Sequence, residues 1–402
     1  MMCYTMYLNV LTIMGFAVIV AVIGHILFDK TGVPESIFMI LFGLILGPLT
    51  GIIGLHDFSG LINHVFTLSI VIILLESGLT TDIHEALMTM RTSTIFTVIV
   101  LFVTSMICSG FLWLILGWSP VASLILGVIC SGTSTLPIMY FTRRLKLNPV
   151  VSQMLVFESV INDVTIITTV TLITQAVTIS LSPSVTVLNI IQYLVVAIVL
   201  GFAFSIGWTL VLVYVREELS LKYLITLAVS IILHSLAESL GGSGVIAVMV
   251  FGIMIGNLPE FFRTRLYIRR RVLRFFTAMD VMQDEVSFLV KNTFFFLLGV
   301  MFNVETVTLR VLIIALVLTG LMIVSRWLSY RVIGVFDKRY VDDGLIVSLM
   351  VSRGLTAGLT AFMPVEQGLQ IPPITDIVIV MILFTNIAAT AGFMIMNRGL
   401  DK

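Results

Sequence analysis

Hydrophobic residues fill this chain in runs of about 20, divided by short polar or charged stretches. A helix needs about 20 apolar residues to cross the hydrocarbon core of a bilayer. Applied along the whole sequence, this criterion predicts about thirteen membrane spans. They cover roughly residues 5–28, 32–51, 65–80, 93–117, 120–141, 149–179, 185–214, 220–239, 243–262, 286–304, 307–329, 342–365 and 373–397.

Two of these predicted spans are interrupted by small and hydroxyl residues. Residues 130–137 read CSGTSTLP and residues 352–360 read SRGLTAGLT. Such interruptions in the two halves of a transporter are typical of unwound helices around a binding site at mid-membrane. The two spans are an odd number of crossings apart and would therefore run in opposite directions, as in an inverted repeat. The alternative is that the glycine, serine and threonine residues of these two segments only allow close packing between helices.

No change of composition marks a separate soluble domain. The sequence predicts one transmembrane domain over residues 1–402. Within it we expect a first repeat half at 1–179, a linking helix at 185–214 and a second half at 220–402.

Composition fixes the class of protein. Hydrophobic residues make up 59% of the chain and charged residues 11%, against about 25% charged residues in soluble domains. The mean hydropathy is +1.15. We therefore predict an all-α polytopic membrane protein. The formal net charge of zero gives no indication of nucleic acid, and the three cysteines lack metal-site or disulfide spacing, so no cofactor is expected.

Basic residues are distributed on one side of the predicted membrane, which gives an orientation. They flank the odd-numbered connections or the C-terminus, with Arg310 as the exception. This pattern places the C-terminus in the cytoplasm and the N-terminus outside, in a multi-pass protein of the plasma membrane. The residues are Lys30, Arg91, Arg143, Arg144, Lys146, Arg216, Lys222, Arg263, Arg265, Arg269, Arg270, Arg271, Arg274, Arg331, Lys338, Arg339, Arg398 and Lys402.

The run Phe157–Asp163, FESVIND, places two acids inside the span 149–179. An ionisable residue at this depth predicts a functional site, because its desolvation must be offset by an ion, a proton or a partner. Residues four apart share a helix face. Ser159 therefore lies with Asp163, and Glu158 lies with Asn162.

Asp163 and Ser159 offer oxygen ligands to a small hard cation, as Thr133 and Ser134 would from the first interruption. A proton and a cation then compete for Asp163. Competition at a site that opens alternately to the two sides is a mechanism of exchange. We expect cation binding to weaken as the pH falls, and transport to slow again at high pH for lack of protons.

Arg353 lies near the middle of its predicted span and needs a carboxylate partner. Glu158 and Glu76 are the candidates, and we predict a structural Glu158–Arg353 pair. Glu76 would then line the cytoplasmic entrance, or it is a carboxylate at a helix end that reaches water.

The run FESVIND resembles the Glu-Ser-x-x-Asn-Asp signature of the cation:proton antiporter family one, the archaeal and bacterial sodium/proton antiporters related to the eukaryotic exchangers. Further matches follow in order along most of the chain. They lie at Gly32–Glu35, Phe42–Pro48, Leu75–Leu79, Asn148–Pro149 and Ser352–Gly354.

The resemblance implies a thirteen-helix inverted-repeat fold, a homodimer and exchange of sodium or lithium for protons. By position it makes Asp163 the ion- and proton-binding acid, with Asn162 as its partner. Ser159 would be a hydroxyl ligand and Thr133 a backbone ligand. An asparagine before the aspartate goes with electroneutral exchange in that family.

One position departs from the family. Members usually carry Thr-Asp-Pro in the first interruption, and spacing aligns that aspartate with Ser134. The missing carboxylate leaves open a potassium/proton antiporter, or a channel or sensor that keeps the fold without exchange. A membrane-embedded enzyme is a further class, but the sequence shows no paired catalytic aspartates, histidine cluster or phosphate-binding motif, so we predict that the chain is not an enzyme.

Overall fold

A computed structural model describes residues 2–53, 55–80, 91–145, 147–178, 183–214, 219–258, 266–304, 308–336, 343–369, 371 and 373–400. The helices in these ranges are α1 (Met2–Thr31), α2 (Glu35–Leu44), α3 (Leu55–Thr80), α4 (Arg91–Gly110), α5 (Pro120–Ile129), α6 (Thr135–Arg144), α7 (Pro149–Thr178), α8 (Pro183–Tyr214), α9 (Leu219–Ser239), α10 (Gly244–Gly256), α11 (Leu266–Met301), α12 (Leu309–Phe336), α13 (Gly344–Leu349), α14 (Leu355–Glu366) and α15 (Ile374–Leu400). Helices α2 and α4 each continue into a π-helical turn, at Ile45–Leu49 and Phe111–Ile115.

Seven helices in the described part of the chain are long and apolar enough to cross a membrane, and shorter apolar helices accompany them. The prediction of an all-α polytopic membrane protein is therefore confirmed. Over the residues that the structure describes, every predicted span coincides with a helix or with a pair of helices separated by a break. The predicted span ends at 179, 259–262, 307 and 342 lie outside these residues. The structure extends α11 well before residue 286, to Leu266, where the sequence predicted a later start.

Both predicted interruptions are breaks in the helices. The first separates α5 from α6 over residues 130–134, and the second separates α13 from α14 over residues 350–354. Pro137 falls in the first turn of α6, where the missing N–H has no helical acceptor to lose. The proline inside the predicted span 120–141 thus lies in the first turn of the second half of a broken helix.

Other helix starts follow from local chemistry. Pro120 begins α5, and the Ser119 hydroxyl accepts a hydrogen bond from the backbone N–H of Ala122 at 3.3 Å. Ser243 caps α10 by accepting from Ile246 N at 3.2 Å. These side chains satisfy N–H groups that lack a partner in the first helical turn.

The described helices pack as two compact units. The first comprises Met1–Asn63, Thr92–Ile166 and Lys291–Lys402, and the second comprises His64–Arg91 and Ile167–Val290. This division reflects packing and does not test the repeat halves, whose boundaries stay a prediction.

The core of the first unit joins residues from α4, α6, α7, α12, α13 and α15. Phe141 stacks on Phe393 with ring centroids 4.9 Å apart, and Phe96 meets Tyr330 edge to face. Met154 and Leu155 bring α7 into this cluster, one turn before Glu158. The broken helices are therefore anchored to the helix that carries the acids.

In the second unit, α3 and α10 approach through glycine. A Cβ placed on Gly78 would lie 2.9 Å from the Cα of Gly252, closer than two carbon atoms can pack. Gln283 of α11 adds a hydrogen bond to the carbonyl of Ile72 at 3.2 Å. Within a membrane, hydrophobic burial contributes little to the association of helices. Small residues and buried polar contacts hold the helices together instead.

Candidate functional site

The two acids of α7 lie in different surroundings. Glu158, Ser159 and Asn162 are fully buried, whereas Asp163 is partly exposed. Five residues advance a helix by about 140° from the starting face. The helix geometry alone therefore directs Glu158 and Asp163 to different neighbours.

Glu158 forms an ion pair with Arg326 of α12. Arg326 Nη1 donates to Glu158 Oε1 at 2.6 Å and Nη2 donates to Oε2 at 2.8 Å. Asn162 Nδ2 adds a bond to Oε1 at 2.7 Å, and Arg326 Nε donates to the carbonyl of Val347 at 3.1 Å. This two-pronged geometry is the strongest form of such a pair. It neutralises Glu158 inside the protein.

The predicted partnership between Glu158 and Arg353 is wrong. Arg353 lies in the second break and donates from Nη2 to the carbonyl of Cys130 and to Met322 Sδ. From the non-helical break, the Arg353 guanidinium contacts the carbonyl end of α5. The guanidinium of Arg326 contacts the Glu158 carboxylate. Arg353 therefore links the two breaks instead of holding Glu158.

Sequence reasoning missed Arg326. The residue lies within an apolar run near the end of the predicted span 307–329, where an arginine is easily assumed to reach water. Ser325 and Ser329 accompany it, and this polar stripe is the signal that could have identified a buried charge.

The breaks meet at Ser134. Its backbone N–H donates to the carbonyl of Ser352 at 2.8 Å. A Cβ placed on Gly354 would lie 2.9 Å from the Cβ of Ser134, so only glycine allows this approach. The position that aligns with the family's aspartate is thus packed against backbone.

Helix α15 holds the second break. Asn386 Nδ2 donates to the carbonyl of Arg353 at 2.9 Å, and the Arg353 N–H donates to Thr385 Oγ1 at 3.3 Å. The Ser352 hydroxyl also donates to Asn386 Oδ1. Unwound backbone at membrane depth requires such partners. The break is consequently a fixed segment of the site.

Two threonine hydroxyls contact Asp163. Thr356 Oγ1 donates to Oδ1 at 2.7 Å, and Thr135 Oγ1 lies 3.5 Å from Oδ2. Thr135 begins α6 and Thr356 is the second residue of α14. The positive ends of two helices therefore face the carboxylate. Neither threonine was singled out as a ligand from sequence, although each follows a break.

The remaining predicted residues are placed as follows. Thr133 is buried and its hydroxyl lies 3.4 Å from Glu158 Oε1, on the neutralised side of α7. The Ser159 hydroxyl donates to Val156 O at 2.8 Å. Glu76 is a half-buried residue of α3 in the second unit. Their roles toward a cation stay predictions.

Comparisons with known proteins identify the family and the fold. The profile of a family described as "Sodium/hydrogen exchanger, transmembrane" matches residues 17–397. The chain is 26% identical over 220 residues to the low-affinity Na+/H+ antiporter NhaS1 of Synechocystis sp., covering 52% of this chain and 40% of that protein.

Solved structures of the sodium proton antiporter MjNhaP1 from Methanocaldococcus jannaschii share the fold. The structure at pH 8 superposes with a TM-score of 0.75 and 19% identity, covering 97% of each chain. A second, from electron microscopy, gives a TM-score of 0.70 at 19% identity, covering 98% of this chain and 96% of that one.

Proposed function

The chain belongs to the sodium/hydrogen exchanger family, and from this premise we propose that it exchanges sodium or lithium for protons at Asp163. Family membership makes it a membrane transporter and not an enzyme. The printed names of its relatives, a low-affinity Na+/H+ antiporter and a sodium proton antiporter, support sodium as the cation.

The difference between the two acids carries this proposal. Glu158 is neutralised by Arg326, so its charge is already balanced when the site is empty. Asp163 is partly exposed and contacts neutral hydroxyls. A carboxylate in such surroundings gains most from binding a proton or a cation. Asp163 is thus the acid whose charge can be exchanged.

The exchange follows from occupancy of one carboxylate. When a cation binds, the Asp163 proton leaves to water, and when a proton binds, the cation loses its charged ligand. One monovalent cation then replaces one proton, so exchange is electroneutral. Alternating access carries each bound form to the opposite side of the membrane.

Several further predictions belong to this proposal. Ser159, Thr133 and Ser134 complete the site as oxygen ligands, and Asn162 orients the neighbouring acid. Glu76 lines the cytoplasmic entrance. The transporter acts as a homodimer in the plasma membrane, with the N-terminus outside and the C-terminus in the cytoplasm.

A potassium/proton antiporter is the second candidate. Ser134 supplies no carboxylate, and its side chain packs against Gly354. A site with a single negative charge attracts a small, strongly hydrated cation less well than a site with two. A larger, more easily dehydrated ion then competes better.

Proteoliposomes holding the full chain test the proposal. A pH gradient is imposed, sodium, lithium and potassium chloride are added in turn, and the internal pH is followed with a fluorescent dye. We expect sodium and lithium to dissipate the gradient, with no change when the membrane potential is clamped. Potassium as the best substrate would favour the second candidate.

A control variant distinguishes the specific effect of losing the Asp163 carboxylate from the effect of losing any negative charge. Asp163→Asn removes the exchanging carboxylate, whereas Asp284→Asn makes the same change at an exposed residue of α11. If no cation dissipates the gradient with the unmodified chain, the exchange proposal is wrong and the channel or sensor alternative stands.

A further inference from the structure

Thr356 contacts a helix that lies far from it in the sequence. Its hydroxyl donates to Asp163 Oδ1 at 2.7 Å, across 193 residues of sequence. The residue is 7% exposed. The hydroxyl therefore contacts the acid from a largely buried position.

Several buried threonines of the described spans bond to their own helices instead. Thr360 donates to Thr356 O at 2.6 Å, and Thr174 donates to Val170 O at 2.8 Å. Thr356 is only the second residue of α14, so no helical carbonyl lies four residues before it. The break in the helix thus frees this hydroxyl to reach across to α7.

The surroundings fix where the hydroxyl points. Asn386 holds the carbonyl of Arg353, and Gly354 packs against Ser134. Thr356 follows two residues after Gly354, so its backbone is positioned by both contacts. Supporting contacts of this kind hold a ligand in place before binding.

A hydroxyl suits a site that alternates between a proton and a cation. It has one donor hydrogen and two acceptor lone pairs. It can donate to the free carboxylate, accept from the protonated acid, or direct a lone pair to a cation. A second carboxylate in its place would add charge and bind protons of its own.

We propose that the Thr356 hydroxyl is a ligand of the cation site, taking over with a neutral oxygen part of the role for which this chain lacks a second carboxylate. This inference rests on the proposed exchange at Asp163. The hydroxyl donates to Asp163 when the site is empty and presents a lone pair to a small monovalent cation when the site is filled.

Substitution of Thr356 tests the proposal in proteoliposomes with the full chain. Thr356→Val keeps the shape and loses the hydroxyl, Thr356→Ala loses it without a branched side chain, and Thr356→Ser retains it. We expect Val and Ala to raise the KM for sodium about tenfold, as for one lost bond to a charged group, with kcat changed by less than about threefold. Thr356→Ser should keep the KM of the wild type because it retains the hydroxyl.

The pH profile gives a second readout. The free carboxylate loses a donor in Thr356→Val, so a cation displaces the proton only at higher pH. The pH at which exchange is half-maximal should therefore rise in Thr356→Val and Thr356→Ala but not in Thr356→Ser. A purely structural role would lower folded yield in both without moving this midpoint.

Thr360→Val is the matched control, since it removes a buried hydroxyl one turn further along α14 that bonds within the helix. It should leave the KM and the pH midpoint unchanged. Wild-type exchange together with an unchanged KM in Thr356→Val and Thr356→Ala would overturn this inference and leave the proposed function intact. Absence of exchange in the wild type would overturn both.

Discussion

Two regions on one helix differ in what they do with an acid. The closed region holds Glu158, Asn162 and Arg326. All three side chains are buried, and Asn162 and Arg326 both donate to Glu158. The open region holds Asp163, Thr135 and Thr356, where the acid is partly exposed and contacts hydroxyls. The same carboxylate group forms a buried ion pair in one place, and in the other it is the charge that we propose to be exchanged, because the partner and the access to water differ.

The comparison separates stability from transport. Removing one member of a buried pair leaves an uncompensated charge, which is among the costliest single changes in a protein. Removing Asp163 takes away a charge that is partly exposed. Variants in the closed region should therefore affect folding first, and variants in the open region should affect exchange first.

The largest effect is expected from Asp163→Asn. Exchange should fall to the level of empty liposomes because the amide cannot carry the exchangeable proton or the charge that holds the cation. The folded yield and the midpoint of thermal unfolding in detergent should stay close to those of the wild type. Retained sodium-driven proton flux in this variant would show that the open region is not the site.

Next in size is the loss of Arg326. Arg326→Met leaves the Glu158 carboxylate buried without its counterion and should lower the free energy of unfolding by about 3–5 kcal/mol. Thermal unfolding and the yield of monodisperse protein measure this change. Arg331→Met, at an exposed position of the same helix, should change little.

The double variant Glu158→Gln, Arg326→Met sharpens this result. Both charges are then absent, so the loss of stability should be smaller than in Arg326→Met alone. Additive losses would mean that the two residues act independently, which the 2.6 Å bond between them does not predict.

The pH dependence of cation binding distinguishes one acid from two. If Asp163 alone exchanges, the apparent KM for sodium should rise about tenfold for each unit by which the pH is lowered in the acid range. The reason is that the ionised fraction of one carboxylate falls tenfold over each such unit. Initial rates in proteoliposomes at several pH values give this slope. A slope near two on logarithmic axes would bring Glu158 into the exchanging site.

The smallest effect is expected from Asn386. Asn386→Ala leaves the Ser352 hydroxyl and the Arg353 carbonyl without this partner and should cost about 1–3 kcal/mol. Exchange should decrease less than in Asp163→Asn, because the break is loosened and not removed. Ile387→Ala changes an exposed neighbour on the same helix and should be neutral to both measurements.

The sequence by itself determined the class of protein, the spans and the two breaks. These features depend on local properties: the length of apolar runs, and the inability of glycine- and hydroxyl-rich segments to continue a helix at low cost. The acids of α7 were also visible, because a charge within an apolar run is conspicuous in any context. Their separation on two helix faces follows from the helical repeat.

Only the tertiary structure decided which residues the acids meet. Arg326 lies 168 residues from Glu158, and Thr356 lies 193 residues from Asp163. At such separations the partner is set by how α12 and α14 pack against α7, and not by spacing along the chain. Arg353 was the more conspicuous arginine, yet the break directs it to Cys130. The physical reason is that residue type shows that a buried charge needs a partner, while packing alone selects which one it obtains.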